Sequence, residues 1–278
     1  MSEPVVVAAV QMNSQAEVEG NLGKVRALVE EAARRGATMV LLPENFAYMG
    51  DEEGKRALAE SLDDPGALGP IARCLADLSR AHHIHVMGGG MPERSDDPDR
   101  PFNTCAVFGP DGALAARYRK IHLFDVDLPD GSKYRESVAS AAGDEVVQAE
   151  VRGLKVGLSI CYDLRFPELY RAHASAGADV LVVPAAFTLM TGKDHWQVLL
   201  RARAIEAQAY VVAAAQWGKH PRGRQTFGKS LIADPWGEVI AQASEGEGVV
   251  TARVDPAYQA QVRANLPCLR HRRLGAAR

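Results

Sequence analysis

Apolar positions along this chain switch between a strand-like run and a helical period, and they do so in the same order in two places. Val5 to Gln11 is a β-rich apolar run. From Asn21 to Arg35 the period lengthens, so that Leu22, Val25, Leu28, Val29 and Ala32 share one helical face until Gly36 stops it. Thr38 to Leu42 is a second buried strand. Later, Lys155 to Ile160 is a strand, a helix opens at Pro167, where the missing N–H costs nothing, and Asp179 to Val183 is the next strand. The second strand of each set runs into a similar word, LLPENF at 41–46 and VVPAAF at 182–187. A helix and a further strand follow each, Ile84 to Gly88 and Tyr210 to Gln216. The pattern predicts an α/β protein made of two similar halves, with two sheets face to face and helices outside.

Between the halves, Thr104 to Phe108 and Ala113 to Tyr118 read as a hairpin closed by Gly109-Pro110-Asp111-Gly112, and Asp234-Pro235-Trp236-Gly237 makes a similar turn. Two stretches lack periodicity and are long for simple connectors: Pro92 to Arg100 and Asp125 to Val138. At 278 residues, with 47% apolar and 24% charged positions, the chain can fill one large core, and a single domain over 1–278 with a tail at 266–278 is expected. A net charge of −3 leaves no broad basic face for a row of phosphates, which argues against nucleic acid as a partner. The first residues, MSEPVVVAAVQ, lack the basic start of a secretory signal, and no run approaches the roughly eighteen apolar residues of a membrane span. A cytoplasmic protein without membrane contact is the expectation. Cys74, Cys105, Cys161 and Cys268 are widely spaced with no CxxC pair, which reads as neither a disulfide framework nor a zinc site.

Candidate chemistry sits where predicted strands end. Cys161 closes the strand Lys155 to Ile160 just before a turn and a helix, a place where α/β enzymes put reactive groups, although a free Cys is as easily an inert buried hydrophobe. Glu44 follows Leu41-Leu42-Pro43 at another strand end and alone reads as a loop carboxylate. Lys120, beside Arg117 and Arg119, alone reads as a solvated basic edge. A Cys-His pair using His122 or His195 lacks the surrounding words of such enzymes. His82, His83 and His85 lack the helical spacing of a metal pair, and Gly88-Gly89-Gly90 lacks a phosphate-loop pattern but suits a turn or a close backbone approach. Lys219, His220, Arg222 and Arg224 form a basic run suited to greeting a carboxylate-bearing substrate.

Taken together, LLPENF with Glu44, YRKIHLFD with Lys120 and GLSICYDLRFPEL with Cys161 resemble the nitrilase, or carbon–nitrogen hydrolase, superfamily, over nearly the whole chain. The resemblance implies a four-layer α-β-β-α sandwich that forms a homodimer through the helices opening at Pro167 and His195. It also implies a Glu-Lys-Cys triad of Glu44, Lys120 and Cys161, with Glu136 of Tyr134-Arg135-Glu136-Ser137 as a second glutamate. Tyr162, Arg165, Phe187, Thr191 and His195 are the pocket-lining candidates. In that chemistry Cys161 attacks an amide carbonyl, Glu44 carries the proton, Lys120 favours the thiolate and then holds the oxyanion together with the Tyr162 N–H, and no cofactor or metal takes part. Within the superfamily, TGKDHWQVLLRARAIEAQAYVVAAAQWGKH, DPWGEV and RHRR resemble the branch that hydrolyses deaminated glutathione to 2-oxoglutarate and cysteinylglycine. Gly228-Lys229-Ser230 departs from that branch's Gly-His-Ser. The neighbouring expectations are an ω-amidase acting on α-ketoglutaramate, N-carbamoyl amino acid hydrolysis, nitrile hydrolysis and, in another class, a non-catalytic binding protein on the same scaffold.

Overall fold

Successive side chains of a strand point to opposite faces, and in β1 (Val5–Gln11) they divide cleanly: Val7 and Ala9 enter one apolar cluster, Ala8 and Val10 another. Both faces of this strand are therefore covered, as its unbroken apolar run requires. β2 (Met39–Leu41), β3 (His85–Glu93) and β4 (Phe102–Phe108) divide in the same way, Met87 and Cys105 going with Val7, and Val86 and Ala106 with Ala8. The structure, a computed structural model, describes residues 5–128, 131 and 133–274.

The first half runs β1, α1 (Val18–Arg34), β2, α2 (Glu52–Ala57), α3 (Pro70–His82), β3, β4 and β5 (Leu114–Arg119). A small hairpin, β6 (Asp125–Asp127) and β7 (Lys133–Arg135), leads to the single turn α4 (Glu136–Ala139). The second half runs β8 (Gln148–Val151), β9 (Leu154–Leu158), α5 (Pro167–Ser175), β10 (Val180–Ala185), α6 (Leu189–Ala207) and β11 (Tyr210–Ala215). After it come the hairpin β12 (Trp217–Lys219) and β13 (Gln225–Phe227), the strands β14 (Leu231–Ala233), β15 (Val239–Gln242) and β16 (Gly248–Val254), and α7 (Pro256–Asn265).

Each half centres on three parallel strands, β1-β2-β3 and β9-β10-β11, extended by antiparallel neighbours into six-stranded sheets ordered β16-β1-β2-β3-β4-β5 and β15-β14-β11-β10-β9-β8. The sheets pack face to face. α1 and α3 cover the outer face of the first through Leu22, Val25, Ile71 and Leu75, and α5 and α6 cover the second through Leu169, Trp196 and Leu200. This is the four-layer α-β-β-α sandwich of two similar halves.

The glycine triplet lies inside β3 and serves close approach. A Cβ on Gly89 would stand 2.0 Å from the Leu42 carbonyl oxygen and 2.3 Å from Pro184 of the opposite sheet, and one on Gly90 would stand 2.7 Å from Asn103 Oδ1 and 3.1 Å from Glu44 Cγ. Only bare backbone lets the chain around Glu44 settle between the sheets. His83 ends α3 in the left-handed region while His85 turns into β3, and among the described residues no group of His, Cys, Asp or Glu is placed to hold a metal ion.

Some boundaries differ from the sequence reading. α1 begins at Val18, ahead of the apolar period, and β3 continues through the glycines to Glu93. α6 opens at Leu189 rather than at His195, because the Thr188 hydroxyl accepts the Thr191 N–H and supplies the N-cap. Asp125 to Val138 folds largely into β6, β7 and α4, with 129, 130 and 132 outside the described residues. So are 275–278 of the tail, whose start is tied down where Gln208 Nε2 donates to the Leu266 carbonyl at 2.6 Å. Among the described residues no helix is long and apolar enough to cross a membrane.

Candidate active site

Glu44, Lys120 and Cys161 each follow the end of a strand, β2, β5 and β9 respectively, and the packing of the two sheets brings them together. Glu44 is 4% exposed and sits in a turn whose next residue, Asn45, is left-handed (φ 59°) and donates its N–H to the Gly90 carbonyl at 3.0 Å. The Gln216 side chain donates to the Glu44 carbonyl at 3.0 Å, tying the turn to the other sheet. The Glu44 carboxylate is fully engaged. Oε1 accepts from Lys120 Nζ at 3.0 Å and Asn103 Nδ2 at 2.9 Å, and Oε2 accepts the Ala186 N–H, just past β10, at 3.0 Å.

Lys120 is 2% exposed and donates to Glu136 as well, 2.8 Å to Oε2 and 3.0 Å to Oε1. Three carboxylate contacts thus surround an ammonium that has three N–H bonds to give. Burial alone would favour the neutral amine, but Glu136, Glu44 and the neighbouring Cys161 outweigh it and hold the Lys120 pKa well above its ordinary value. Burial likewise pushes the Glu136 carboxyl up, while Lys120, then Lys55, pull it down to a net value below the ordinary glutamate range. Glu136 is held in place by the Phe124 N–H at 2.7 Å, so the short turn α4 is anchored to the segment leading from Lys120.

Cys161 opens a short 3-10 turn in the left-handed region (φ 49°), a conformation costing a non-glycine residue about 1–3 kcal/mol. Asp163, fully buried, over-determines that turn. Its Oδ2 accepts the Ile160 N–H at 2.8 Å and the Tyr118 hydroxyl at 2.7 Å, and its Oδ1 accepts the His122 N–H at 3.0 Å and His122 Nδ1 at 2.7 Å. One carboxylate therefore binds the chain on both sides of Lys120 to the residue preceding Cys161. His122 is engaged there and stacks on Phe166 at 3.7 Å.

The Cys161 thiol is only 9% exposed and is pushed well above its ordinary pKa, first by burial and then by the Glu44 charge, against the lowering influence of Lys120 and the Ala186 N–H. Lys120 does favour the thiolate, as expected from the sequence, but burial and the Glu44 charge outweigh it, so the net shift opposes the thiolate.

These residues line a cavity of about 300 Å3. Tyr162, Arg165, Phe187 and Thr191 are on its wall. Arg165 lies over the Phe187 ring at 5.2 Å and, among the described residues, pairs with no carboxylate, Glu168 and Asp163 included. His195 is exposed on α6, off the wall, and touches Arg165 of the cavity, whose Nη1 lies 3.2 Å from its Nδ1. Of the basic run, Arg224 alone lines the cavity. His220 is turned inward to the Ser14 carbonyl at 2.8 Å and Thr226 Oγ1 at 2.7 Å, while Lys219 and Arg222 are exposed. Lys229 is left-handed (φ 60°) and presents its carbonyl to Trp196 Nε1 at 2.9 Å. Sequence reasoning missed Asn103, which bridges Glu44 and Glu136 at 2.9 and 3.4 Å, the Ala186 N–H, and Glu52 and Lys55 of α2.

The carbon–nitrogen hydrolase family model matches residues 6–264. The chain is 44% identical over 275 residues to the deaminated glutathione amidase of Synechocystis sp. (strain PCC 6803 / GT-S), covering 97% of this chain and 98% of that protein. It is 40% identical over 253 residues to omega-amidase NIT2-B of Xenopus laevis, covering 91% and 89%. The crystal structure of the C. elegans NitFhit protein superposes with a TM-score of 0.90 at 38% identity over 98% of this chain, which spans 66% of that protein's length. The chain belongs to the carbon–nitrogen hydrolase family.

The opposing charges around Cys161 set an expected titration. Ultraviolet thiolate absorbance, obtained as the difference between wild type and Cys161→Ala, rises only above the ordinary thiol range. Glu44→Gln removes a charge that opposes the thiolate and moves the midpoint down; Lys120→Met removes one that favours it and moves the midpoint up. A wild-type midpoint at or below neutrality would contradict this electrostatic balance.

Proposed function

We propose that this carbon–nitrogen hydrolase cleaves the amide of a small carboxylate-bearing substrate through a Cys161 thioester, with deaminated glutathione as that substrate. The observation that carries the reading is a buried thiol whose neighbours are a carboxylate able to take its proton and an ammonium locked between two carboxylates. The proposed roles are Cys161 as nucleophile, Glu44 as proton carrier, Lys120 as oxyanion partner and Glu136 as the group that holds Lys120.

The steps follow from the hydrogen bonds. As Cys161 Sγ attacks the carbonyl carbon, its proton passes to Glu44. A protonated Glu44 holds Lys120 less tightly, so an ammonium N–H becomes available at the moment the carbonyl oxygen gains negative charge. The Tyr162 N–H, which donates to no backbone acceptor among the described residues, is the second oxyanion donor. Collapse breaks the C–N bond, and Glu44 returns the proton to the departing amine. Water then attacks the thioester, Glu44 takes its proton, and the proton goes to the leaving sulfur, restoring the thiol. The strained turn keeps Sγ at the cavity throughout.

Arg165 supports a carboxylate-bearing acyl group, because a guanidinium that faces the cavity and, among the described residues, pairs with no carboxylate is matched by an acidic substrate. Relatives are named deaminated glutathione amidase and omega-amidase; on this chain, deaminated glutathione and α-ketoglutaramate would leave the same acyl group on Cys161 and differ in what departs, cysteinylglycine or ammonia, so both reactions would release 2-oxoglutarate. The proposal includes a homodimer formed through α5 and α6, where Val198 and Ile205 stand exposed and would be covered. Light scattering at micromolar concentration is expected to find a dimer, and a monodisperse monomer would remove that part.

The test is release of 2-oxoglutarate from deaminated glutathione and, separately, from α-ketoglutaramate. The expected result is a higher kcat/KM for deaminated glutathione and a fall of roughly 10^4-fold or more in Cys161→Ala, the scale lost with a nucleophile. A higher kcat/KM for α-ketoglutaramate would make the protein an ω-amidase. Full activity in Cys161→Ala would overturn the mechanism.

A further inference from the structure

The wall of the cavity contributed by α2 and the β12–β13 hairpin brings two cations, Lys55 and Arg224, to one carboxylate, Glu52. Both contacts are loose. Glu52 Oε2 is 3.4 Å from Lys55 Nζ and Oε1 is 3.7 Å from Arg224 Nη2, against about 2.7–2.9 Å for a charge-assisted hydrogen bond. Among the described residues, Oε2 is shut away from solvent and makes no hydrogen bond. Glu52 is thus shared by two cations, and Lys55 also acts on Glu136, so Arg224 keeps only one loose carboxylate contact among the described residues, on a wall where Coulomb attraction exceeds its value in water.

The hairpin that carries Arg224 is held firmly. Buried His220 ties it to the Ser14 carbonyl, and Thr226 pairs with Thr188 in a β-bridge beside the N-terminus of α6. This group is separate from Arg165, which stands on the Cys161 turn and leans on Tyr162 and Phe187.

We propose that Lys55, Arg224 and Glu52 form a specificity element that receives the second carboxylate of a two-carboxylate amide, the entering group displacing Glu52 from Arg224. The proposal rests on the reading of the cavity as a site for carboxylate-bearing amides and deepens it by assigning the far end of the substrate. Glu52 acts as an internal stand-in anion. A substrate with one carboxylate, held by Arg165, leaves Glu52 where it is; a substrate with a second carboxylate exchanges a loose contact for the planar two-point pairing that a guanidinium favours.

The decisive quantity is a ratio. In the Cys161→Ala protein, calorimetry measures Kd for glutarylglycine, which carries two carboxylates, and for glutaramate, which carries one. Adding Arg224→Gln is expected to weaken glutarylglycine about 10–100-fold more than glutaramate, the scale of one hydrogen bond to a charged group. Adding Glu52→Gln is expected to tighten glutarylglycine relative to glutaramate, a gain that a misfolded variant does not give. Equal weakening of both ligands by Arg224→Gln, a Glu52→Gln effect of the opposite sign, or no binding of glutarylglycine would each overturn the proposal. Because no turnover is involved, this result stands apart from which substrate the wild type hydrolyses: failure to release 2-oxoglutarate from either keto acid would strike the proposed reaction, and an unchanged ratio would strike the specificity element.

Discussion

An ammonium buried to 2% exposure is the constraint on which the site depends. Removing such an ion from water costs several kcal/mol after relaxation, so Lys120 is tolerable only with both carboxylates in place. Each comes from a different part of the chain, Glu44 from the turn after β2 and Glu136 from the turn after β7, and Asn103 of β4 binds both. The Glu44 turn in turn needs the bare glycines of β3, because the Ala186 N–H that fills its other oxygen belongs to the opposite sheet. Sheet packing and the charge network are one requirement, and a network satisfied on all sides is rigid.

That rigidity explains the balance at Cys161. Lys120 favours the thiolate, but its charge is shared with two carboxylates, and burial together with the Glu44 charge outweighs it. On the proposed reading the resting enzyme holds an unreactive thiol, and the positive charge becomes available only as the proton moves. Asp163 keeps the parts in register by joining the Lys120 segment to the Cys161 turn through Tyr118, His122 and Ile160.

Much of this was legible in the chain. The doubled strand–helix–strand order predicted two halves, and it did so because each parallel strand is covered on both faces and therefore reads as an unbroken apolar run. Glu44, Lys120 and Cys161 were weak candidates one by one; the resemblance of their three words to one superfamily singled them out, and Glu136 came with that resemblance. Other parts carry no such mark. Asn103 is one polar residue in an apolar strand, the Ala186 N–H is backbone, and Glu52 and Lys55 lie in a charged stretch that no motif marks. His195 was misplaced because the cap at Thr188 starts α6 early and turns that position outward. Three of the four residues in the basic run leave the cavity for reasons only the fold supplies: Ser14 and Thr226 capture His220, and the hairpin turn exposes Lys219 and Arg222.

The most direct test of the central claim is to mix the protein with deaminated glutathione, quench with acid within a single turnover, and map the acylated peptide by mass spectrometry. The account predicts a 2-oxoglutaryl thioester on Cys161, absent from Cys161→Ala. Turnover with no acyl group on Cys161, or with the acyl group on another residue, would contradict it.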